Sequence, residues 1–140
     1  VELEPGERDD FPEIAPKLAD PAVGVIIIGT PVYFSSMSSL CKEFIERCGQ
    51  FRKQDYALKN KVAGVLAVGG SRNGGQEVTV QSVEAALFCQ DMIVVGPGNP
   101  NSRFGGIAVS GGDGVESDEA GLASVRSLGT RVAEVAKCVR

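Results

Sequence analysis

Gly29-Thr30-Pro31-Val32-Tyr33-Phe34-Ser35-Ser36-Met37-Ser38 separates a wholly apolar run at residues 23–28 from a segment whose apolar residues recur at helical spacing. An uninterrupted apolar run of that length suits a strand buried on both faces of a parallel sheet. In an open α/β sheet, ligands bind in the loops that leave the carboxyl ends of the strands. This loop is therefore the first candidate for a binding site.

A second apolar run, 62–68, leads into Val68-Gly69-Gly70-Ser71-Arg72-Asn73-Gly74-Gly75-Gln76-Glu77. The turn is longer and richer in glycine than the usual connection of about two to six residues requires. Glycine permits positive φ and close approach of the backbone to a flat ligand. Thr30-Pro31-Val32-Tyr33-Phe34, then Ser38 and the helix face Leu40/Phe44/Ile45, then the Gly-rich motif together resemble the flavodoxin-like, NADPH-dependent FMN reductase superfamily. The similarity is nearest to its iron-sulfur flavoprotein and quinone reductase branches, and runs in order along almost the whole chain.

Read along the chain, Asp9 or Asp10 caps a short helix to about Leu18, with Pro12 in its first turn. After the strand at 23–28, a helix runs from Ser36 or Met37 to Arg47 with Leu40, Cys41, Phe44, Ile45 and Cys48 at helical spacing, and Gly49 terminates it. A strand at 62–68 precedes a helix at 76–88 with Val80, Val83 and Leu87 inward, and 92–95 forms a third short strand. Residues 96–114 form a long loop interrupted by Ile107-Ala108-Val109, a brief strand extension, and Gly111-Gly112-Asp113-Gly114 is a structural turn. Ser117 caps a last helix with Asp118 and Glu119 in its first turn and Leu122, Val125, Leu128, Val132 and Ala136 inward. Alternating strands and helices predict an α/β, doubly wound parallel sheet within one domain, 1–140.

The resemblance implies a sheet of order 2-1-3-4-5, of which this chain covers about strands 3–5 and their helices. The domain would then lack its first strand, the phosphate loop, the first helix and the second strand, and the strand at 23–28 would be an apolar edge. It also implies FMN as cofactor, with Thr30, Pro31, Val32, Tyr33 and Phe34 against the isoalloxazine. The N–H groups of residues 32–35 would be its donors, and Gly69, Gly70, Ser71, Arg72, Asn73 and Gly74 would lie along the pyrimidine and dimethylbenzene sides. Arg72 is a candidate for charge on reduced flavin or a phosphate of NAD(P)H; the alternative is a solvated side chain. The implied reaction passes reducing equivalents from NAD(P)H or a reduced protein to a quinone, flavin or redox partner. The cofactor carries the electrons, so no residue is assigned as catalytic acid or base. Alternatives are an iron-sulfur flavoprotein whose cluster ligands lie upstream of Val1, a flavodoxin-type electron carrier, and a flavin-free scaffold. The quinone reductases carry a His where this chain has Cys89-Gln90-Asp91, which weakens transfer of their quinone-reducing role. A homodimer or homotetramer with each flavin near a subunit boundary is also implied, with Tyr33 and Gln90 acting across it.

Composition sets outer bounds. The 140 residues carry 14 Lys+Arg against 18 Asp+Glu, a net charge of -4, which offers no general attraction to nucleic acid or anionic membrane. No apolar run approaches the roughly 20 residues of a membrane span, and the acidic first ten residues do not resemble a signal peptide. The chain has no histidine, and its cysteines, Cys41, Cys48, Cys89 and Cys138, form no CxxC pair. They therefore make no metal site by themselves. Cys41 and Cys48 read as small core residues, and reduced thiols suit the cytoplasm.

Overall fold

A computed structural model describes residues 8–112 and 114–139. The acidic stretch up to residue 7, and Asp113 of the glycine turn, lie outside the described residues. The sheet is built around β2 (Val62–Gly69). On one side β1 (Val25–Pro31) runs parallel to it, from Val25 opposite Val62 to Pro31 opposite Val68. On the other side two short parallel strands follow one another along β2. β3 (Ile93–Val94) pairs with Val62 and Ala63, and β4 (Gly106–Val109) pairs with residues 66–69. The chain leaves the sheet between them, so Ile107-Ala108-Val109 does extend the sheet as expected.

Alternation along β2 sends its two faces into two cores. Ala63, Val65 and Ala67 pack with residues of α1 (Phe11–Ala19), α2 (Ser39–Arg47), α3 (Gly49–Lys53) and α4 (Gln76–Phe88). Val62 and Leu66 pack instead with Leu128, Val132 and Ala136 of α5 (Glu119–Cys138). Helices on both faces leave β2 no wet side, which is why it reads as a continuous apolar run. α4 begins and ends where its pattern predicts, with Val80, Val83 and Leu87 buried.

Several expectations are corrected. β1, which lies at the sheet edge among the described residues as expected, is not buried on both faces: Ile28 and Thr30 are buried, whereas Ile27 on the opposite face is 43% exposed. α2 starts at Ser39 because a tight turn occupies residues 33–36, and Ser38 is its cap, accepting a hydrogen bond from the Cys41 N–H at 3.2 Å. Leu40 consequently faces outward, 75% exposed. Gly49 does not stop the helical path but opens α3, which buries Phe51.

α5 is capped by Asp118 rather than Ser117, and its buried face is Gly121, Ser124, Leu128, Val132 and Ala136, with Leu122 and Val125 only partly covered. The helix approaches β4 too closely for large side chains there: a Cβ on Gly121 would lie 2.8 Å from Ala108 Cα. Just before α1, whose cap residue is Asp10, the Asp9 carboxylate accepts the Phe11 N–H at 3.0 Å. The same carboxylate receives both arms of Arg47 at 2.7 and 2.6 Å, tying α1 to α2.

Candidate functional site

The first predicted loop is held by its own hydrogen bonds. Phe34 and Ser35 both adopt positive φ, 49° and 60°, so Tyr33 and Ser36 exchange N–H···O bonds of 2.9 and 3.0 Å across a two-residue turn. Thr30 is buried beneath it, its hydroxyl accepting the Ser38 N–H at 3.1 Å and donating to the Pro31 carbonyl at 3.0 Å. These bonds close the loop at its base and set α2 in line. They also use donors expected to face a ligand: Val32 N–H goes to Val68 O at 2.9 Å, and Tyr33 N–H goes to Ser36 O. Of the N–H groups at 32–35, those of Phe34 and Ser35 have no partner among the described residues. Tyr33 is 61% exposed and Phe34 fully so, so both rings are presented outward rather than packed under the loop.

The second loop is shaped by a residue outside the expected set. Gln76 is 1% exposed. Its Oε1 accepts the Gly74 N–H at 2.8 Å and its Nε2 donates to the Ser71 carbonyl at 2.7 Å, stapling the turn from inside. Gly69 makes room for that amide, since a Cβ there would lie 2.5 Å from Gln76 Nε2. The signal was present in the sequence: Gln76 shares the helical face of Val80, Val83 and Leu87, so a polar side chain there is inward and needs partners.

The two loops meet at Gly75. Its φ is +100°, and a Cβ would lie 2.4 Å from Ser35 Oγ and 2.8 Å from Ser35 Cα. Gly70, by contrast, faces open space and has no positive φ. It is thus not the glycine whose conformation the turn requires. Ser71, Asn73 and Gly74 lie exposed along the outer rim, with Asn73 at φ 58°.

Arg72 is not simply solvated. Its Nη2 donates to Asp118 Oδ1 at 2.5 Å, joining the Gly-rich loop to the start of α5. Asp118 is buried, and its other bonds come from Gly121 N–H at 3.0 Å and Val109 N–H at 2.8 Å. Burial raises the pKa of this carboxyl, but the bonds from Gly121, Arg72 and Val109 outweigh that and hold it below the ordinary value. Asp118 thereby links three elements: the loop after β2, the end of β4 and the amino-terminus of α5.

Gln90 is buried, its side chain turned into this chain's own core and donating to the Cys48 carbonyl at 3.2 Å. Cys41 and Cys48 are buried as expected, and burial pushes the Cys48 thiol up to about 11. Cys89 and Cys138 are exposed. Gly111 and Gly114 adopt φ of +51° and +85°, as a turn there requires. Among the described residues no three metal-capable side chains cluster, and no helix is long and apolar enough to cross a membrane.

The same architecture occurs in the WrbA-like flavodoxin from Agrobacterium tumefaciens. It superimposes with a TM-score of 0.76 at 24% identity, covering 91% of this chain and 74% of that one. An iron-sulfur flavoprotein of Methanocaldococcus jannaschii is 42% identical over 133 residues, which is 94% of this chain and 67% of that protein. An NAD(P)H dehydrogenase (quinone) of Paracoccus denitrificans is 45% identical over 71 residues, covering 51% of this chain and 34% of that protein. The chain thus spans about two thirds of the length of the iron-sulfur flavoproteins it matches. Residues 2–105 match the model of the family described as NADPH-dependent FMN reductase, and with relatives of this identity across nearly its full length the chain belongs to that family.

Proposed function

We propose that the paired loops hold the isoalloxazine ring of FMN and that the protein passes reducing equivalents from NAD(P)H, or from a reduced protein, to a quinone, flavin or redox partner. The observation that carries this reading is the contact of Ser35 with Gly75, which joins the two motif loops above the carboxyl ends of β1 and β2. The surface there suits a flat, amphipathic ring. Tyr33 and Phe34 offer aromatic area, Pro31 stiffens the approach, and the unpartnered N–H groups of Phe34 and Ser35 are donors for carbonyl or ring nitrogen acceptors. Gly69, Gly70, Ser71, Asn73 and Gly74 present backbone rather than bulky side chains along the other rim. Bound flavin would supply the redox chemistry; the chain's own groups orient it, exclude water from one face and set the charge around it.

Titration with FMN, followed by quenching of its fluorescence, tests this. Gly75→Ala should weaken binding at least about tenfold. The left-handed backbone alone costs about 1–2 kcal/mol for a residue with a Cβ, and the contact with Ser35 must open as well. Gly129→Ala, on α5 outside both loops with nothing within 4 Å of where its Cβ would stand, should fold normally and serves as the control. Identical FMN curves for Gly75→Ala and the parent would remove the paired-loop reading.

The iron-sulfur flavoprotein relatives favour a second cofactor, an iron-sulfur cluster with ligands upstream of Val1. A broad absorbance in the full-length protein, lost on reduction and distinct from the flavin bands, would establish it. We further propose that the complete domain adds strands to the free edge of β1, giving the order 2-1-3-4-5, and that the protein works in the cytoplasm as a homodimer or homotetramer. A groove of about 900 Å³ along that edge, lined by Ile14, Ile27, Pro31 and Leu40 together with charged residues such as Asp10 and Glu43, is partly apolar surface that such strands would cover. Sedimentation of the full-length flavin-loaded protein reads the assembly directly: a monomer at micromolar concentration would refute it.

A further inference from the structure

The segment that leaves the sheet after Val95 and returns at Gly106 is a built feature. Val95 makes a ladder bond to Ala63 at 2.9 Å, and the chain then turns away. Its two ends are pressed together: a Cβ on Gly96 would lie 2.5 Å from the Arg103 carbonyl oxygen and 2.9 Å from that of Phe104. A loop with touching ends and its own packing is an Ω-type loop, a kind that often carries function. Ser127 of α5 donates to the Pro97 carbonyl at 3.2 Å, pinning it to the helix. Gly98, at φ +73°, leaves space that the Arg131 side chain fills, with Cδ 3.6 Å from where a Cβ would stand.

Between this loop and α5 lies a groove of about 560 Å³ lined by Arg103, Phe104, Arg131, Ser102 and the glycine backbone at 96 and 98. That volume falls within the range of roughly 300–1,000 Å³ typical of small-molecule sites. No carboxylate lines it, although acidic residues outnumber basic ones in this chain. The nearest acid partner of Arg131 is Glu134, at 3.6 Å on the same exposed helix face. Arg103 has no hydrogen bond or ion pair among the described residues, and Phe104 beside it is 52% exposed. Two guanidinium groups from separate elements match a phosphate bidentately, and an exposed aromatic face suits a flat heterocycle.

We propose that this groove is a nucleotide-phosphate site: Arg103 and Arg131 bind the phosphate groups, and Phe104 stacks on the base. It shares no lining residue with the loops at 30–38 and 69–76 and does not depend on the flavin reading. The test is an ¹⁵N-resolved titration of the protein, with and without added FMN, with ADP, adenosine or inorganic phosphate at low salt. ADP should shift the amides of Gly96, Gly98 and Phe104 saturably, and adenosine should do so at least about tenfold more weakly. Inorganic phosphate should shift the same amides at higher concentration. The Arg103→Ala/Arg131→Ala double variant should lose at least about tenfold in ADP affinity, and Phe104→Ala should weaken ADP while leaving phosphate unchanged. These side chains are exposed, so circular dichroism should match the parent. The proposal is overturned if ADP up to about 10 mM leaves those amides unmoved, if ADP and adenosine bind alike, or if the double variant binds ADP as the parent does.

Discussion

Replacing Asp118 by alanine removes one carboxylate and three different supports. The cap on α5 disappears with the Gly121 bond, which costs about 1 kcal/mol. The Val109 N–H, half-covered at the end of β4, loses its acceptor, at about 1–3 kcal/mol. The bond from Arg72 contributes less, about 0–1 kcal/mol, because the arginine side chain is 54% exposed and water screens the pair. Together these predict a loss of about 3 kcal/mol, or about 10 °C in Tm for a domain of this size. Urea denaturation and thermal melts of the parent, Asp118→Ala and Arg72→Ala measure it. Arg72→Ala should cost no more than about 1 kcal/mol, and a loss equal to that of Asp118→Ala would show that the cap and strand bonds carry nothing.

The pH dependence checks the same partition with a definite sign. The folded-state pKa of Asp118 is lowered from 3.8, so the unfolded chain binds the proton more tightly. Its contribution is present above about pH 4 and is lost as pH falls through the depressed folded value. The stability gap between parent and Asp118→Ala should therefore be constant at neutral pH and narrow only below about pH 4. A gap that stayed flat to pH 2 would contradict the assignment of a buried, hydrogen-bonded carboxylate.

Other consequences can be read from single side chains. Gln76→Leu keeps the volume but removes both staples, so it should cost about 1–2 kcal/mol and speed hydrogen exchange at the Gly74 amide at least about tenfold; unchanged exchange would refute the stapling role. At pH 8 a thiol reagent should modify Cys89 and Cys138 quickly, whereas Cys41 and Cys48 should react only in denaturant, because burial raises both thiols. Mass spectrometry of the labelled peptides distinguishes the two pairs, and rapid native labelling of Cys48 would contradict its placement.

What could be read from the sequence depended on whether burial left an apolar signature. β2 was legible as a continuous apolar run covered on both faces, and α4 because Val80, Val83 and Leu87 recur at helical spacing on its buried face. The face of α5 was misjudged at its amino-terminal half, where Gly121 and Ser124 are buried and Leu122 and Val125 are not fully so. Small residues give no hydrophobic signal, yet they decide how near a helix comes to a strand: Ser124 Oγ accepts the Ile107 N–H at 2.9 Å, a bond possible only at that closeness. The start of α2 was misplaced because Phe34 and Ser35 take positive φ without a glycine, which propensity does not foresee. The two motif loops were found from resemblance and glycine content, but the groups that fix their shapes, Thr30, Gln76 and Asp118, act through hydrogen bonds between residues distant in sequence or hidden from the surface.

The meeting of the two loops follows from the sheet register more than from the loops themselves. Pro31 stands opposite Val68, so both strands end at one level, and the Val32 N–H extends the ladder by one more bond to the Val68 carbonyl. On the other side Val109 stands opposite Gly69, and the Ser110 N–H continues that ladder to the Gly69 carbonyl at 2.9 Å. Consecutive carbonyls at the end of β2 therefore anchor the chains on both flanks, one leading to Tyr33 and Phe34 and the other toward Asp118. Gly69 also gives Gln76 its space, and Gly75 gives Ser35 its contact. A register slip of one residue would turn the Val68 and Gly69 carbonyls away from these partners, so β2 anchors both loops and the glycines of the second loop let the two close on one another.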